Sequence, residues 1–234
     1  MHHLKGRKAL ISGGASGIGR SITAKLAQEE VVTAVADLNL TGDLPFSALA
    51  FQCDVAVASD IDALFANIQA KLGTPDILIC SAGRGIHEKL TEGDPEKWKA
   101  VMETNLLGAL RMIRAFVPGM LQAGFGDVVL ISSVSAGQAY TYGGVYAATK
   151  AALEVVAETL RLEVLPTLRV TVIAPGVTDT AFFENTISGF YTAADIGYGA
   201  ISPDAVADAV LYALRQPDGI SINRITIRPT AQPF

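Results

Sequence analysis

The sequence predicts a doubly wound parallel α/β sheet of about seven strands with helices on both faces. Two observations carry this. Short apolar runs of strand length alternate with longer stretches of helical periodicity from residue 8 to residue 228. The glycine-rich and polar motifs recur just after these strands or at the start of the following helix, which is where open α/β sheets hold their ligands. No internal repeat, low-complexity tract, charge block or linker interrupts the alternation, so residues 1–234 read as one domain.

Each element has its own signal. Lys8–Ser12 (KALIS) is a short apolar run, a buried strand. Ser12–Gly19 (SGGASGIG) follows at once, and Ile18, Ile22 and Leu26 then recur at helical spacing. Val31–Ala36 is a second strand ending in Asp37, and Leu40–Phe46 is a loop by its Gly, Asp and Pro. Ala48–Cys53 is a third strand, running into Asp54-Val55. Ser59 is expected to cap a helix with the stripe Ile61, Leu64, Phe65, Ile68 and Leu72, stopped by Gly73 and Pro75. Asp76–Cys80 is a fourth strand, followed by Ser81-Ala82-Gly83. Arg84–Asp94 is a polar loop whose His87 receives no role, since a lone loop histidine is more often solvated than catalytic. A long helix is expected from about Pro95 to Gln122 with Asn105 at mid-length. Buried there, an asparagine needs partners, either a water or local backbone; otherwise it is a polar residue at a helix edge.

Asp127–Ser132 is a fifth strand, leading through Ser132-Ser133-Val134-Ser135 into a Gly/Tyr-rich loop that ends at Gly144. A helix from Val145 to about Leu165 has no internal Gly or Pro and is apolar on most sides (Ala151, Ala152, Val155, Val156, Leu160), as expected of a buried helix. Leu168–Ile173 is a sixth strand, followed by Pro175-Gly176-Val177-Thr178-Asp179-Thr180. Residues 181–201 mix aromatics and glycines without a sustained period and read either as a lid over an apolar pocket or as a surface excursion. Ser202 caps a helix with Pro203 in its first turn and Val206, Val210, Ala213 and Leu214 on one side. Asn223–Arg228 is the last strand, and the tail Pro229–Phe234 has no local signal.

Composition narrows the function classes. The chain of 234 residues is 50% hydrophobic and 18% charged, a core-rich globular balance. A net charge of −5 leaves no basic excess for a nucleic acid or an anionic membrane surface, so neither is expected as a partner. Cys53 and Cys80 each close an apolar run and read as reduced core thiols. No run approaches the roughly 18 apolar residues of a membrane span. The start, Met1-His2-His3-Leu4-Lys5, lacks a signal peptide's apolar stretch, so a soluble cytoplasmic protein is expected. The three histidines, two of them at residues 2 and 3, and two separated cysteines offer no metal-ligand spacing; no metal is expected.

The motifs carry the chemistry. Strand, glycine-rich turn and helix are the context of a dinucleotide-binding loop: glycines let the backbone approach a pyrophosphate, and the helix N-terminus offers donors and a positive dipole end. The spacing here is G-x-x-x-G-x-G over Gly13, Gly17 and Gly19. Asp37, at the end of the second strand, is suited to accept hydrogen bonds from the adenosine ribose and to repel a 2′-phosphate. Leu38 and Asn39 bring no positive charge, and Arg20 is the only nearby basic residue; NAD is preferred to NADP. Asp54 meets the adenine edge or is only a loop acid, and the small residues Ser81-Ala82-Gly83 let a ribose lie against the chain or form a plain turn. Tyr146 and Lys150 fall on one helix face, about 6 Å apart along its axis. An ammonium beside a phenol favours phenolate and allows the phenol to shuttle a proton near neutral pH, although Y-x-x-x-K alone also fits an ordinary surface pair.

Together these residues resemble the short-chain dehydrogenase/reductase family over nearly the whole chain, which implies a Rossmann-type fold. Ser12, Gly13, Ser16, Gly17, Ile18 and Gly19 resemble its T-G-x-x-x-G-x-G loop, with serine in place of threonine. Asp54-Val55 resembles its adenine-side pair, and Ser81-Ala82-Gly83 stands at its N-A-G. Asn105, Ser133, Tyr146 and Lys150 fall on its catalytic tetrad, the family's Ser-to-Tyr spacing selecting Ser133 over Ser132 and Ser135. Pro175-Gly176, with Val177, Thr178 and Thr180, matches its P-G-x-x-x-T segment beside the nicotinamide. The ending Ile225–Gln232 lacks the family's D-G-G stretch and is closer to a branch holding NADP-dependent hydroxy-acid and serine dehydrogenases, which argues for NADP against Asp37.

The resemblance implies an oxidoreductase that moves hydride between a nicotinamide cofactor and an alcohol or carbonyl substrate. Tyr146 is then the general acid/base, and Lys150 lowers its pKa and holds the nicotinamide ribose. Ser133 donates to the substrate oxygen, and Asn105 holds a relay water. A homodimer or homotetramer joined through the long helices is implied. Two other classes fit the same fold: an NAD(P)-binding regulatory or scaffold protein without turnover, and an epimerase or lyase.

Overall fold

Short apolar runs, buried on both faces, build the sheet. The computed structural model describes residues 4–40, 44, 48–189 and 196–233. The first half comprises β1 (Lys8–Ser12), α1 (Gly17–Gln28), β2 (Val32–Asp37), β3 (Leu49–Gln52), α2 (Ala58–Lys71) and β4 (Ile77–Cys80). The second comprises α3 (Pro95–Met102), a π-helical turn (Glu103–Leu107), α4 (Gly108–Ala123), β5 (Asp127–Ile131), α5 (Gly144–Glu163), β6 (Arg169–Pro175), α6 (Pro203–Leu214) and β7 (Arg224–Ile227). The seven strands form one sheet in the order β3-β2-β1-β4-β5-β6-β7, every neighbouring pair parallel. This is the doubly wound fold expected.

Side chains of period two divide the core into two layers. Leu10, Leu78, Val128, Leu130, Val170 and Val172 face α2, α4 and α5, where Leu64, Ile68, Met112, Phe116 and Leu153 cover them. Ala9, Ile11, Ile77, Ile79, Val129, Ile131 and Ile173 face α1 and α6, under Ile22, Leu26, Val206 and Val210. Burying each of the Val, Leu, Ile, Met and Phe side chains among these contributes about 1.5–3 kcal/mol. With both faces covered, the central strands read as unbroken apolar runs rather than alternating ones.

The chain winds outward from β1 to β3 and crosses back to β4, so the segments after β1 and β4 diverge and leave a crevice at the carboxyl ends of the strands. Gly13 is wedged there: a Cβ on it would lie 2.8 Å from the backbone of Ala82, and its φ of +67° suits glycine.

Several local expectations shift. Ser59 does not cap its helix: the helix starts at Ala58 with Val57 at the cap, and Asp60 accepts from the Asp54 amide (3.0 Å). The long helix expected over Pro95–Gln122 runs without a gap from Pro95 to Ala123, but a π-helical turn at Glu103–Leu107, in which Asn105 lies, interrupts its α-type bonding. The helix of Tyr146 is not buried on most sides, because Val155 is 67% exposed and Leu162 is exposed beside it. Ser202 does cap α6, accepting from Ala205 N at 3.2 Å. Cys53 and Cys80 are buried free thiols. Burial pushes the Cys53 thiol up to about 11, with Asp60 and Asp54 adding, and the Cys80 thiol up to about 12. His2, His3, most of the Leu40–Phe46 loop and residues 190–195 of the expected lid lie outside the described residues. Among the described residues no helix is long and apolar enough to cross a membrane, and no His/Cys/Asp/Glu cluster could hold a metal.

Candidate active site

A cleft of about 980 Å³ opens over the carboxyl ends of the strands. Gly13, Ser16, Gly17, Ile18 and Gly19 line one end with Asp37, Leu38, Asp54 and Val55. Ser81, Ala82 and Gly83 line it further along, with Ser133, Tyr146, Lys150, Pro175, Gly176, Val177, Thr178 and Thr180. Two expected site residues, Ser12 and Asn105, do not line it.

Ser12 and Asn105 shape the wall from behind. The Ser12 hydroxyl accepts from the amides of Ser81 (3.3 Å) and Ala82 (3.4 Å), tying the two diverging segments together. Asn105 is 2% exposed. Its Oδ1 accepts from the Arg84 amide at 2.8 Å, and its Nδ2 donates to the Arg84 carbonyl (2.9 Å) and to Thr149 Oγ1 (3.2 Å). The side chain expected to hold a water is therefore committed to the protein. The π-helical turn, a distortion frequent at functional sites, carries that carboxamide.

At the glycine end, α1 begins at Gly17 with Ser16 at its cap, and neither a capping side-chain bond nor an acidic first turn occupies this terminus. A Cβ at Gly19 would collide with the Gly13 carbonyl, so only glycine permits the tight turn. Amides free to point outward, a positive dipole end and the Ser16 hydroxyl suit a pyrophosphate. Asp37 already works for the loop: its Oδ2 accepts from Ala15 N (2.9 Å) and its Oδ1 from Asn39 N (3.1 Å). Leu38 is 48% exposed at the rim. A ribose-bearing dinucleotide fits this donor set.

At the other end the reactive groups meet. Lys150 is 4% exposed and donates from Nζ to the Ile131 carbonyl at 2.9 Å. Burial lowers its pKa to about 8. The ammonium sits 5.8 Å from the Tyr146 ring centroid. The expected phenolate is not favoured in this state: burial raises the Tyr146 pKa, Tyr140 adds to the rise, and the hydrogen bond with Ser133 only partly offsets it. Taking the charged form out of water is the largest cause of that rise. Ser133 Oγ also accepts from Ser135 N (3.1 Å), whereas Ser132 turns away to Glu154 (2.8 Å).

Three features escaped the sequence. Gln232, in the tail without signal, accepts from Val177 N at 3.0 Å and lines the cleft. Its side chain leaves no room for a Cβ at Gly176, so the tail clamps the Pro175-Gly176 segment. His87 is half-buried in the cleft wall, 6.3 Å from the Tyr140 ring, and burial lowers its pKa. Residues 181–189 are tied down: Ile187 N donates to Gly85 O (3.0 Å) and His87 N to Ser188 O (3.0 Å).

The family model described as short chain dehydrogenase matches residues 7–189. The chain belongs to that family. An uncharacterised oxidoreductase of Staphylococcus epidermidis is 32% identical over 237 residues, covering 98% of this chain and 100% of the relative. Among solved family members, a serine dehydrogenase in its closed form with NADP+ superposes with a TM-score of 0.87 at 28% identity, covering 97% of this chain and 96% of that one. An alcohol dehydrogenase from the archaeon Thermococcus sibiricus, complexed with 5-hydroxy-NADP, gives 0.86 at 25% identity over 97% and 98%.

Proposed function

We propose that the protein is an NAD(P)-dependent alcohol dehydrogenase or carbonyl reductase, with Asn105, Ser133, Tyr146 and Lys150 as its catalytic group. The observation carrying this reading is the meeting of Ser133, Tyr146 and buried Lys150 at one end of a cleft whose other end is a phosphate-type glycine turn. The nicotinamide, when bound, supplies or accepts the hydride. Tyr146 gives its phenolic proton to the carbonyl oxygen in reduction and takes it back in oxidation. A phenol held protonated by burial is the form that reduction requires. Ser133 donates to the same oxygen and stabilises charge developing there. Lys150, its pKa drawn down to about 8, exchanges a proton near neutral pH and resupplies the phenol. Asn105 acts by fixing Arg84 and Thr149.

NAD is the proposed cofactor, with NADP second, because the Asp37 carboxylate at the adenosine end would oppose a 2′-phosphate. The NADP+ complex of the serine dehydrogenase and the 5-hydroxy-NADP complex of the alcohol dehydrogenase weigh the other way, and exposed Arg20 at the cleft is the local support for NADP. We further propose one domain with a lid over about 181–201, a cytoplasmic location, and a homodimer or homotetramer built on the long helices. Exposed Val155 and Leu162 on α5 support the last point.

Tyr146→Phe tests the mechanism: cofactor affinity should stay near wild type while turnover disappears. Wild-type turnover by this variant on a validated carbonyl substrate would sink the assignment.

A further inference from the structure

We infer that the substrate is a neutral aromatic ketone, or the matching secondary alcohol, and not a keto acid, hydroxy acid or phosphorylated sugar. The inference rests on the hydride-transfer reading and names the substrate class of that site.

The rings supply the first argument. Tyr146 and Phe182 stand 5.7 Å apart, tilted by 58°, and Phe182 and Phe183 stand 5.7 Å apart, edge to face. Phe182 is fixed from behind, since a Cβ on Gly85 would come within 3.0 Å of its ring. His87 and Tyr140 form a further ring pair in the same cleft wall. An aryl group entering beside Tyr146 joins a ring cluster with the tilted spacing that aromatic contacts favour.

The charges supply the second argument. The cleft's carboxylates, Asp37 and Asp54, sit at the opposite, glycine-turn end. Lys150 is buried, bound to the Ile131 carbonyl and assigned to the proposed proton relay, and burial favours neutral His87. Glu88 is turned into a cluster with Trp98, Lys97 and Ser188, and does not line the cleft. Two arginines line the cleft: Arg20 lies at the glycine-turn end, which leaves Arg84, exposed and with no ion pair among the described residues, as the cation open to a substrate anion. A substrate carboxylate buried beside Tyr146 and Phe182 would lose water, with solvent-exposed Arg84 as its one candidate partner.

The test separates binding from turnover. Dissociation constants for acetophenone, cyclohexyl methyl ketone and benzoylformate are measured calorimetrically on the protein saturated with oxidised cofactor, where no reduction occurs. Acetophenone should bind tighter than benzoylformate by on the order of 100-fold and tighter than the cyclohexyl ketone by about 2- to 12-fold. Phe182→Leu should erase the aryl preference and leave cofactor affinity unchanged. Equal or tighter benzoylformate binding, abolished by Arg84→Met, would overturn the inference and make the site an anion site. An aryl preference that survives Phe182→Leu would overturn it as well. Turnover with reduced cofactor is then read separately: acetophenone that binds as stated but is never reduced leaves the substrate class standing and removes the hydride-transfer reading.

Discussion

Glu88 is the hub of the substrate-side wall, and Glu88→Gln should loosen that wall without touching the cofactor end. The carboxylate accepts from Asp94 N (3.0 Å), Trp98 Nε1 (2.9 Å), Lys97 Nζ (3.3 Å) and the Ser188 hydroxyl. It thereby joins the loop after β4, the start of α3 and the segment after Thr180. The Ser188 bond, followed by those from Asp94, Lys97 and Trp98, holds its pKa down at about 2 against an ordinary 4.5. A depressed carboxyl stabilises the latched form fully above pH 4.5, and that contribution drains away as pH falls from 4.5 toward about 2. With the side chain 13% exposed, the contribution at neutral pH is about 2–3 kcal/mol after allowance for solvent screening. Its loss raises the unlatched population by about 30- to 150-fold. Trp98 is the chain's single tryptophan, so its emission reports the latch directly. Wild type should show an acid transition well below pH 4.5 that is missing in Glu88→Gln, and the variant should raise KM for the carbonyl substrate with cofactor Kd unchanged. The same emission profile in both proteins would refute the reasoning.

Other perturbations probe separate regions. Asp127, its side chain 7% exposed, meets Arg7 Nη1 at 2.8 Å and Arg169 Nε at 2.6 Å at the strand ends opposite the cleft. Asp127→Asn leaves the half-buried Arg7 guanidinium with Asp76 alone and strips Arg169 of its carboxylate, leaving it the backbone carbonyls of Leu214, Gln216 and Ile220. It should cost about 3–5 kcal/mol and lower Tm by about 6–20 °C; a shift within about 2 °C in calorimetry would contradict this. Gln232→Ala strips the acceptor from a buried amide, costing about 1–3 kcal/mol, and should weaken NADH binding by about 5- to 150-fold in a fluorescence titration. Asp37→Ala should weaken NADH more than NADPH, and an unchanged ratio of dissociation constants would remove the basis for preferring NAD.

What was legible in the sequence is what local chemistry writes there. Lys8–Ser12 and its glycine turn could be read because an apolar run followed by Gly13, Gly17 and Gly19 has few other solutions. Ser202-Pro203 announced its helix by cap chemistry, with Val206, Val210, Ala213 and Leu214 marking its buried side. Ser59 misled because a serine near a helix start is only a candidate cap, and Asp60 took up the amide nearby. Val155 misled because apolar periodicity does not say what covers the outer stripe. The π-helical turn at Asn105 has no signature in Glu103–Leu107, and Lys150's partner is a backbone carbonyl, which no side-chain pattern encodes. Gln232 was invisible for a related reason, since its partner lies 55 residues away and is an amide. The pKa of Tyr146 depends on how deeply the phenol is sunk, a property of the assembled fold rather than of Y-x-x-x-K.

The carboxylate that ends β2 has a second employer. By gripping the Ala15 amide, Asp37 keeps the first turn of the loop in shape, in addition to the part proposed for it beside the ribose. Re-engineering this protein toward the other dinucleotide by swapping that one acid would slacken the phosphate grip in the same stroke. A successful redesign must supply a new acceptor for Ala15 alongside any new cation.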